Sequence, residues 1–240
     1  MKLLIDGDSF LYKVGFAFEE LIDWGDGSFT YYNNIEVLKK AIDKLIDGII
    51  HVTGIDEYEL WLTPSTNFRD ANPLGYKQNR VGTRKPEGFK EIKQYLVDHY
   101  NATTIDYLEA DDVVVYKKNK YPSDYMLVAQ DKDVIYQCEG THYNYNKDKF
   151  VEVDAVTAKR FKYLQCLAGD TVDGYKGVPG IGMKRAEAIL ENTDGSDEGY
   201  WLAVVDTYIS KGLTEDDAIN TMRLADMTQW DGEKINLFTP

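Results

Sequence analysis

The sequence predicts an α/β fold in which a mostly parallel sheet is flanked by helices and followed by a helical C-terminal subdomain. Short apolar segments of strand length alternate with amphipathic segments of helical period through the first half of the chain. From Asp154, a residue type that favours a helix N-terminus, the remaining pattern is helical. We therefore expect an α/β core at residues 1–153 and a helical subdomain at residues 154–240.

The apolar pattern assigns the elements of the core in order. A buried strand at residues 2–5 is followed by apolar residues at helical spacing over residues 35–50. The alternation continues with strand 57–63, helix 86–100, strand 103–107, helix 110–119 and strand 125–129. Residues 134–152 then form short alternating segments, which predict a small antiparallel edge.

The charge of the chain is unevenly distributed. The net charge of −14 taken alone argues against a nucleic-acid partner, because binding to phosphates needs Lys and Arg. The basic residues are nevertheless concentrated in residues 77–93 and 159–185. This distribution favours a local nucleic-acid surface, and the alternative is that the acidic surplus serves only solubility.

The cysteines and the N-terminus indicate the compartment. Cys138 and Cys166 lack the spacing of a zinc site or a disulfide framework, as expected in a reducing cytoplasm. The apolar run at the N-terminus is interrupted at Asp6, and it is too short for a secretion signal or a membrane span. We expect a cytoplasmic protein without a membrane partner.

Acidic residues follow three of the predicted strands, at the points where the strands end. They are Asp6, the group Glu109, Asp111 and Asp112, and the pair Asp131 and Asp133. The spacing of the last pair predicts a shared face of an extended segment. Because the carboxyl ends of parallel strands meet at one edge of a sheet, these side chains should lie together.

Crowded carboxylates repel one another unless cations lie among them. Hard oxygen ligands select Mg²⁺, for which Mn²⁺ can substitute, and two such ions can clamp the attacking and leaving oxygens of phosphoryl transfer. Any single cluster taken alone is better explained as a turn or a helix cap. The three clusters together favour a metal site.

A glycine-rich turn lies between two predicted helices, with an acidic pair before it and a basic pair after it. The residues are Asp170 and Asp173, then Gly177, Gly180 and Gly182, then Lys184 and Arg185. Glycines let the backbone approach a phosphate closely, and a helix N-terminus attracts the anion. The alternative is a helix-to-helix turn that binds no ligand.

Other polar residues are assigned ordinary roles. Asp8 is expected to cap the segment that follows it, and Lys90 and Lys93 are expected to lie on a solvated helix face. The three histidines share no spacing, so we expect no catalytic role for them.

The motifs occur in collinear order from residue 3 to about residue 190. They are Asp6, Tyr76-Lys77-x-x-Arg80, Glu109-Ala-Asp111-Asp112, Asp131-x-Asp133, Gly169-Asp170-x-x-Asp173 and Gly177-Val-Pro-Gly-Ile-Gly182. This order resembles the 5′ nuclease superfamily, which contains flap endonucleases, the 5′-nuclease domain of bacterial DNA polymerase I and phage 5′→3′ exonucleases. The segments NFRDANPLGYKQNR and RKPEGF are most similar to the phage exonucleases.

The resemblance implies a PIN-like α/β core and a helix-three-turn-helix module at the glycine turn, where K⁺ is a candidate ligand. It also implies two metal ions. One would be held by Asp6, Glu109, Asp111 and Asp131, and the other by Asp133, Asp170 and Asp173.

The resemblance implies roles for residues around the metals as well. Asp112 would assist the site indirectly, and Lys77 and Arg80 would stabilise charge on the scissile phosphate. Tyr76 would stack on the terminal base. The implied DNA contacts are Tyr76, Lys85, Gly177, Gly180, Gly182, Lys184 and Arg185.

This chain departs from the family pattern in two ways. Members of the family usually have an Asp after the second strand of the core, whereas this chain has Pro64 at or near that position. The first metal would then be held more weakly, unless Thr63 or Ser65 contributes through water. The segment from Lys77 to Glu109 is also short, which leaves little room for the helical arch of flap endonucleases.

The sequence thus predicts a two-metal 5′→3′ exonuclease that acts on duplex DNA ends, phage-encoded and located in the host cytoplasm. Flap endonuclease activity at nicks or flaps and activity on RNA–DNA hybrids remain open, because phosphate chemistry does not distinguish the sugar. The alternative from another class is a noncatalytic DNA-binding replication accessory module with a weakened metal site.

Overall fold

The computed structural model describes residues 1–240. Its nine strands are β1 (Lys2–Asp6), β2 (Glu20–Asp23), β3 (Phe29–Tyr32), β4 (Tyr58–Trp61), β5 (Tyr125–Val128), β6 (Gly140–Asn144), β7 (Lys149–Val153), β8 (Gly169–Asp170) and β9 (Tyr175–Lys176). Its nine α-helices are α1 (Asp8–Ala17), α2 (Ile35–Thr53), α3 (Phe89–Tyr100), α4 (Ala110–Lys120), α5 (Lys132–Tyr136), α6 (Ala155–Ala168), α7 (Met183–Leu190), α8 (Asp197–Ser210) and α9 (Glu215–Ala225).

The central sheet has five strands in the order β4-β1-β5-β6-β7. The first four strands are mutually parallel, and only β7 runs antiparallel, beside β6. The strand β1 lies between β4 and β5, so the residues that follow these three strands meet at one edge. The predicted mostly parallel sheet with a small antiparallel edge is confirmed.

Both faces of the sheet are covered by helices. Alternate residues of β1 point to opposite faces. Leu3 and Ile5 lie in a core with residues of α1, α2 and α3, whereas Leu4 lies in a core with residues of α4 and α5. The flanking helices predicted from the apolar spacing are therefore confirmed.

The C-terminal helices pack around α6, whose first turn is capped as predicted. The Asp154 side chain accepts a hydrogen bond from the Thr157 backbone N–H at 2.7 Å. A separate core joins α6 to α7, α8 and α9, and the buried Tyr208 in it donates to the Cys166 carbonyl at 2.7 Å. Met227 packs into the core of the sheet, however, so the boundary between residues 153 and 154 stays a prediction.

Several local predictions were wrong. Residues 103–107 do not form a strand, because only Thr103 bridges to β4 and Tyr107 adopts a positive φ of 67° in the following turn. The segment that begins the predicted antiparallel edge contains helix α5. The helix α1 and the β2–β3 hairpin were not predicted, and α3 begins at Phe89 rather than at residue 86.

None of the helices is both long enough and apolar enough to span a lipid bilayer.

A buried histidine on β6 makes the stability of this fold dependent on pH. The Nε2 atom of His142 bonds to the Cys138 carbonyl at 2.8 Å, and its Nδ1 atom has no partner. Burial lowers the pKa of His142 from 6.5 to about 4. Between pH 6.5 and 4, His142 is protonated in the unfolded chain but stays neutral in the folded one. The free energy of unfolding therefore keeps its full value above pH 6.5 and decreases as the pH falls towards 4.

We expect the variant His142→Gln to remove this contribution. Between pH 7.5 and 4.5 the free energy of unfolding of the wild type should fall by about 2 kcal/mol more than that of the variant. Urea titrations at the two pH values measure the difference. The variant His51→Gln, at an exposed position of α2, serves as the control and should follow the wild type. Equal slopes for all three proteins would contradict the assignment.

Candidate active site

The predicted acidic clusters meet at the edge of the sheet where β1 and β5 end. Asp6 is the last residue of β1, and Glu109 and Asp111 lie at the start of α4. Asp131 caps α5 directly after β5, where its Oδ1 accepts from the Asp133 N–H at 2.9 Å. The predicted extended segment at Asp131 and Asp133 is therefore wrong, since this cap starts a helix.

The four carboxyl groups predicted to share the first metal lie close enough to affect one another. Burial, together with the nearby Asp8 and Asp131, raises the pKa of Asp6 to about 8. Burial also raises the pKa of Asp111 well above its usual value, with contributions from Asp6, Glu109 and Asp131. Asp6 and Glu109 are buried, Asp111 is partly buried and Asp131 is exposed, so this group of acids extends from the interior to the surface of the protein.

The three carboxyl groups predicted to share the second metal lie beside the first group. Burial, together with the nearby Asp131 and Asp170, raises the pKa of Asp133 to about 7. The Asp170 Oδ1 accepts from the backbone N–H groups of Val172 at 2.6 Å and Asp173 at 3.1 Å, which hold the loop after β8 in place.

Glu109 lies at the centre of a network with the residues of the Tyr76-Lys77-x-x-Arg80 motif. Its two oxygens accept from the Tyr76 hydroxyl at 2.6 Å and from the Lys77 Nζ at 2.6 Å. Arg80 donates to Asp173 at 2.7 Å, and the Lys77 N–H donates to the Asp173 carbonyl at 2.9 Å. Although burial opposes ionisation of Glu109, Lys77 and Arg69 lower its pKa below the usual value.

The position of Tyr76 requires a correction. Its side chain is only 9% exposed and packs against Tyr175, Leu224 and Ala225. The Lys77 Nζ lies 4.7 Å from the centre of its ring. The predicted stacking of Tyr76 on a DNA base has no free ring face in this conformation, and the hydroxyl instead orients Glu109.

Asp112 is held by an arginine that the sequence did not single out. Arg69 and Asp112 are both buried, and they form two parallel bonds of 2.7 and 2.8 Å. Arg69 also donates to the carbonyls of Leu224 and Asp226. Asp112 in turn accepts from the Glu109 N–H at 3.1 Å, so it acts on Glu109 through the backbone. Nothing in the local sequence signals a buried arginine, because arginines are rarely buried.

The glycine turn joins α6 to α7 as predicted, and the structure requires a glycine at two of its three glycine positions, Gly177 and Gly180. A Cβ at Gly177 would overlap the backbone of Leu167 and Gly169. Gly180 has a φ of 79°, and its carbonyl accepts from the Arg185 side chain at 2.7 Å. Gly182 precedes α7 without a side-chain cap, which leaves the first N–H groups of this helix accessible.

The basic residues of segment 77–93 are partly used within the protein. Arg84 pairs with Glu19, and Lys93 donates to the Thr63 carbonyl at 2.5 Å. The prediction that Lys93 lies on a solvated helix face is therefore wrong. Lys85 is exposed and lies over the Phe89 ring at 4.5 Å, and Lys184 is exposed beside the glycine turn.

The donor atoms at the edge suit a divalent cation, although no three of them are arranged around a single ion position in this structure. The donors are carboxylate oxygens, and the buried Asp133 Oδ1 has no hydrogen-bond partner. The Lys132 Nζ lies 3.3 Å from this same Oδ1, as an ion pair without a hydrogen bond, and 3.6 Å from Asp170, so its ammonium group balances part of the charge. The chemistry of the set matches the hard oxygen ligands that Mg²⁺ prefers.

The sequence is similar to those of curated 5′ nucleases, and no protein-family model matches it. Flap endonuclease Xni of Shewanella piezotolerans is 30% identical over 148 residues, which are 55% of this chain and 57% of that protein. A 5′-3′ exonuclease of Buchnera aphidicola is 27% identical over 219 residues, which cover 83% of this chain and 68% of the relative. DNA polymerase I of Lactococcus lactis is 26% identical over 215 residues, 79% of this chain and 24% of the polymerase. The chain thus spans only part of the length of several relatives.

The fold is similar to those of solved 5′ nucleases. The T5 D15 protein co-crystallised with metal ions superposes with a TM-score of 0.65 at 16% identity, covering 94% of this chain and 89% of that one. Flap endonuclease-1 from Methanococcus jannaschii superposes with a TM-score of 0.54 at 15% identity, covering 94% of this chain and 78% of that one. The sequence and fold similarities together confirm the predicted resemblance to the 5′ nuclease superfamily and its PIN-like fold.

We expect the variant Arg69→Met to destabilise the protein by about 3 to 5 kcal/mol, because it leaves the buried Asp112 carboxylate without its positively charged partner. Urea unfolding followed by circular dichroism measures the loss. The double variant Arg69→Met with Asp112→Asn keeps an acceptor for the Glu109 N–H and should recover part of it. A double variant less stable than Arg69→Met would show that the pair is not the cause.

Proposed function

We propose that this chain, whose sequence and fold resemble those of the 5′ nuclease superfamily, is a divalent-metal-dependent 5′→3′ exonuclease. It would hydrolyse phosphodiester bonds at the 5′ ends of duplex DNA. The observation that carries the proposal is the meeting of buried carboxylates from the ends of β1 and β5 and the start of α4 at one edge of the sheet. Burial and the neighbouring acids raise the pKa values of Asp6 and Asp111, so bound cations would stabilise the ionised carboxylates.

The proposal assigns the carboxylates to two ions. Asp6, Glu109, Asp111 and Asp131 would hold one ion, and Asp133, Asp170 and Asp173 the other. Two similar solved structures are described as the T5 D15 protein with metal ions and the T5 5′-exonuclease with zinc bound, which supports the use of divalent cations. When bound, Mg²⁺ supplies Lewis-acid stabilisation of the phosphate and lowers the pKa of a coordinated water.

Lys77 and Arg80 carry positive charge to the place where a phosphate would lie. In the structure their charges balance Glu109 and Asp173. Arg80 is half-exposed and its guanidinium can pair with two phosphate oxygens. We propose that both side chains stabilise the charge that develops on the scissile phosphate, with Asp112 and Tyr76 holding Glu109 in position.

The glycine turn and its neighbours form the proposed contact with the DNA backbone. The uncapped start of α7 offers N–H groups to a phosphate, and Lys184 and Arg185 add charge. The proposed contacts include Gly177, Gly180, Gly182 and Lys85, and K⁺ is a proposed ligand of the turn. A solved D15 flap endonuclease complex with DNA and the Rad2 core with DNA substrate support a DNA partner.

The segment from Lys77 to Glu109 is short, which favours cleavage at a DNA end over threading of a long 5′ flap. The helix α3 is tied to the core by the buried Ile92 and Leu96, so only residues 77–88 remain to form an arch. We therefore propose blunt and nicked 5′ ends as the preferred substrates. Cleavage of flaps and of RNA–DNA hybrids would be secondary.

The second candidate function is a noncatalytic DNA-binding module, which the absence of a carboxylate in residues 62–66 favours. Calorimetric titration with Mn²⁺ separates the two. Two bound ions per chain support the enzyme. DNA binding that is unchanged by EDTA, without cleavage, supports the module.

We expect Asp131→Ala to lower cleavage by about 100-fold or more, because it removes a carboxylate from the metal site. The measurement is the release of a 5′ label from duplex DNA in Mg²⁺. Asp131 also caps α5, so Asp154→Ala, which removes the equivalent cap of α6, is the matched control. The control should lose about 1 kcal/mol of stability and retain its activity. Full cleavage by Asp131→Ala would contradict the assigned site.

A substrate panel tests the preferred end. With Mg²⁺ we expect faster release of label from blunt and nicked duplexes than from a long 5′ flap, because the short arch leaves no passage for the strand. Matched DNA and RNA–DNA hybrid duplexes compared in the same assay report the role of the sugar. Preference for the long flap would overturn the exonuclease assignment while leaving the nuclease assignment intact.

A further inference from the structure

The end of β4 lacks an acidic residue at the edge where the other strands supply them. The residues after this strand are Leu62, Thr63, Pro64, Ser65 and Thr66, and none of them carries a charge. Since β4 pairs with β1 in parallel, its end lies next to Asp6. One side of the proposed first metal position is therefore built from uncharged residues of the strand beside it.

Asp8 brings a carboxylate to this place from the first turn of α1, which follows the neighbouring strand β1. Both of its oxygens accept from the Thr63 backbone N–H, at 3.1 and 3.2 Å. The Asp8 N–H donates to Asp6 Oδ1 at 3.1 Å, which links the two acids. The Asp8 carboxylate therefore lies at the end of β4, although its chain position is in the first turn of α1.

The turn that carries Asp8 is clamped against β4. The Gly7 N–H donates to the Trp61 carbonyl at 2.9 Å. A Cβ at Gly7 would lie 2.7 Å from the Leu60 side chain and 3.1 Å from the Trp61 carbonyl, so a glycine permits this approach. Asp8 is thus placed by backbone contacts and does not depend on a flexible side chain reaching across the edge.

Thr63 is itself fixed from two further directions. Its Oγ1 accepts from the Ala110 N–H at the start of α4, at 3.0 Å, and its carbonyl accepts from Lys93 of α3 at 2.5 Å. The helix α1 has no side-chain cap, so the prediction that Asp8 caps the following segment is wrong. Its carboxylate is used across the edge instead.

We propose that Asp8 supplies a further carboxylate to the first divalent-cation position, in place of the missing acid after β4. The proposal rests on the proposed function. The bond from the Asp8 N–H to Asp6 Oδ1 holds the two acids together, and the Asp8 carboxylate also interacts with the charges of Glu109 and Lys93. With Asp8 beside Asp6, the first ion would gain a carboxylate at the end of β4 without a charged residue from that strand.

The test is the variant Asp8→Asn, in which the amide oxygen still accepts from the Thr63 N–H while the charge is removed. Calorimetric titration with Mn²⁺ in the absence of DNA should show a tenfold or greater loss of affinity for one of the two ions. The Mg²⁺ concentration for half-maximal cleavage should rise in parallel. Thermal melts in EDTA should match the wild type, which shows that the fold is retained.

The matched control is Asp26→Asn in the β2–β3 hairpin, where an exposed aspartate makes the same kind of bond to a backbone N–H. This variant should bind Mn²⁺ like the wild type. Wild-type affinity in Asp8→Asn, together with lost binding in Asp111→Asn, would overturn the role of Asp8 and leave the proposed function standing. A wild-type protein that binds no Mn²⁺ would overturn both.

Discussion

The mutual repulsion of buried carboxylates at one edge of the sheet is the constraint on which the rest of the structure depends. Parallel strands bring their carboxyl ends together, so any acids that follow them must share one low-dielectric space. The fold accommodates them by bringing basic side chains to the same edge from distant segments. Lys77 and Arg80 reach Glu109 and Asp173, and Lys132 reaches Asp170. The basic side chains that reach this edge therefore reduce the repulsion between its carboxylates.

The residues that hold the acidic edge in place also join the helical C-terminal segment to the sheet. Arg69 holds Asp112 in a buried pair and also donates to carbonyls at the end of α9. Tyr76 packs against residues of the same region while its hydroxyl orients Glu109. The geometry of the acidic edge therefore depends on the packing of a segment far away in the sequence, and the two parts of the chain form one functional unit.

The contacts within the protein change how the basic residues of segment 77–93 are interpreted. The sequence alone predicts a nucleic-acid surface there. Several of its charges, among them Lys77, Arg84 and Lys93, are engaged by groups of the protein itself. Charges that remain exposed, such as Lys85 and Lys184, are fewer than the sequence suggests. A chain of net charge −14 thus presents positive charge only at selected places.

The sequence by itself determined the alternation of strands and helices, the single edge of acids and the glycine turn, because apolar period and strand-end position are local properties. Only the tertiary structure decided that Arg69 is buried, that Tyr76 faces inward and that Asp8 lies at the end of β4. It also decided that residues 103–107 bridge to the sheet at one residue only. The physical reason is that burial and pairing depend on partners far apart in the chain, and no local pattern records which distant group will lie nearby.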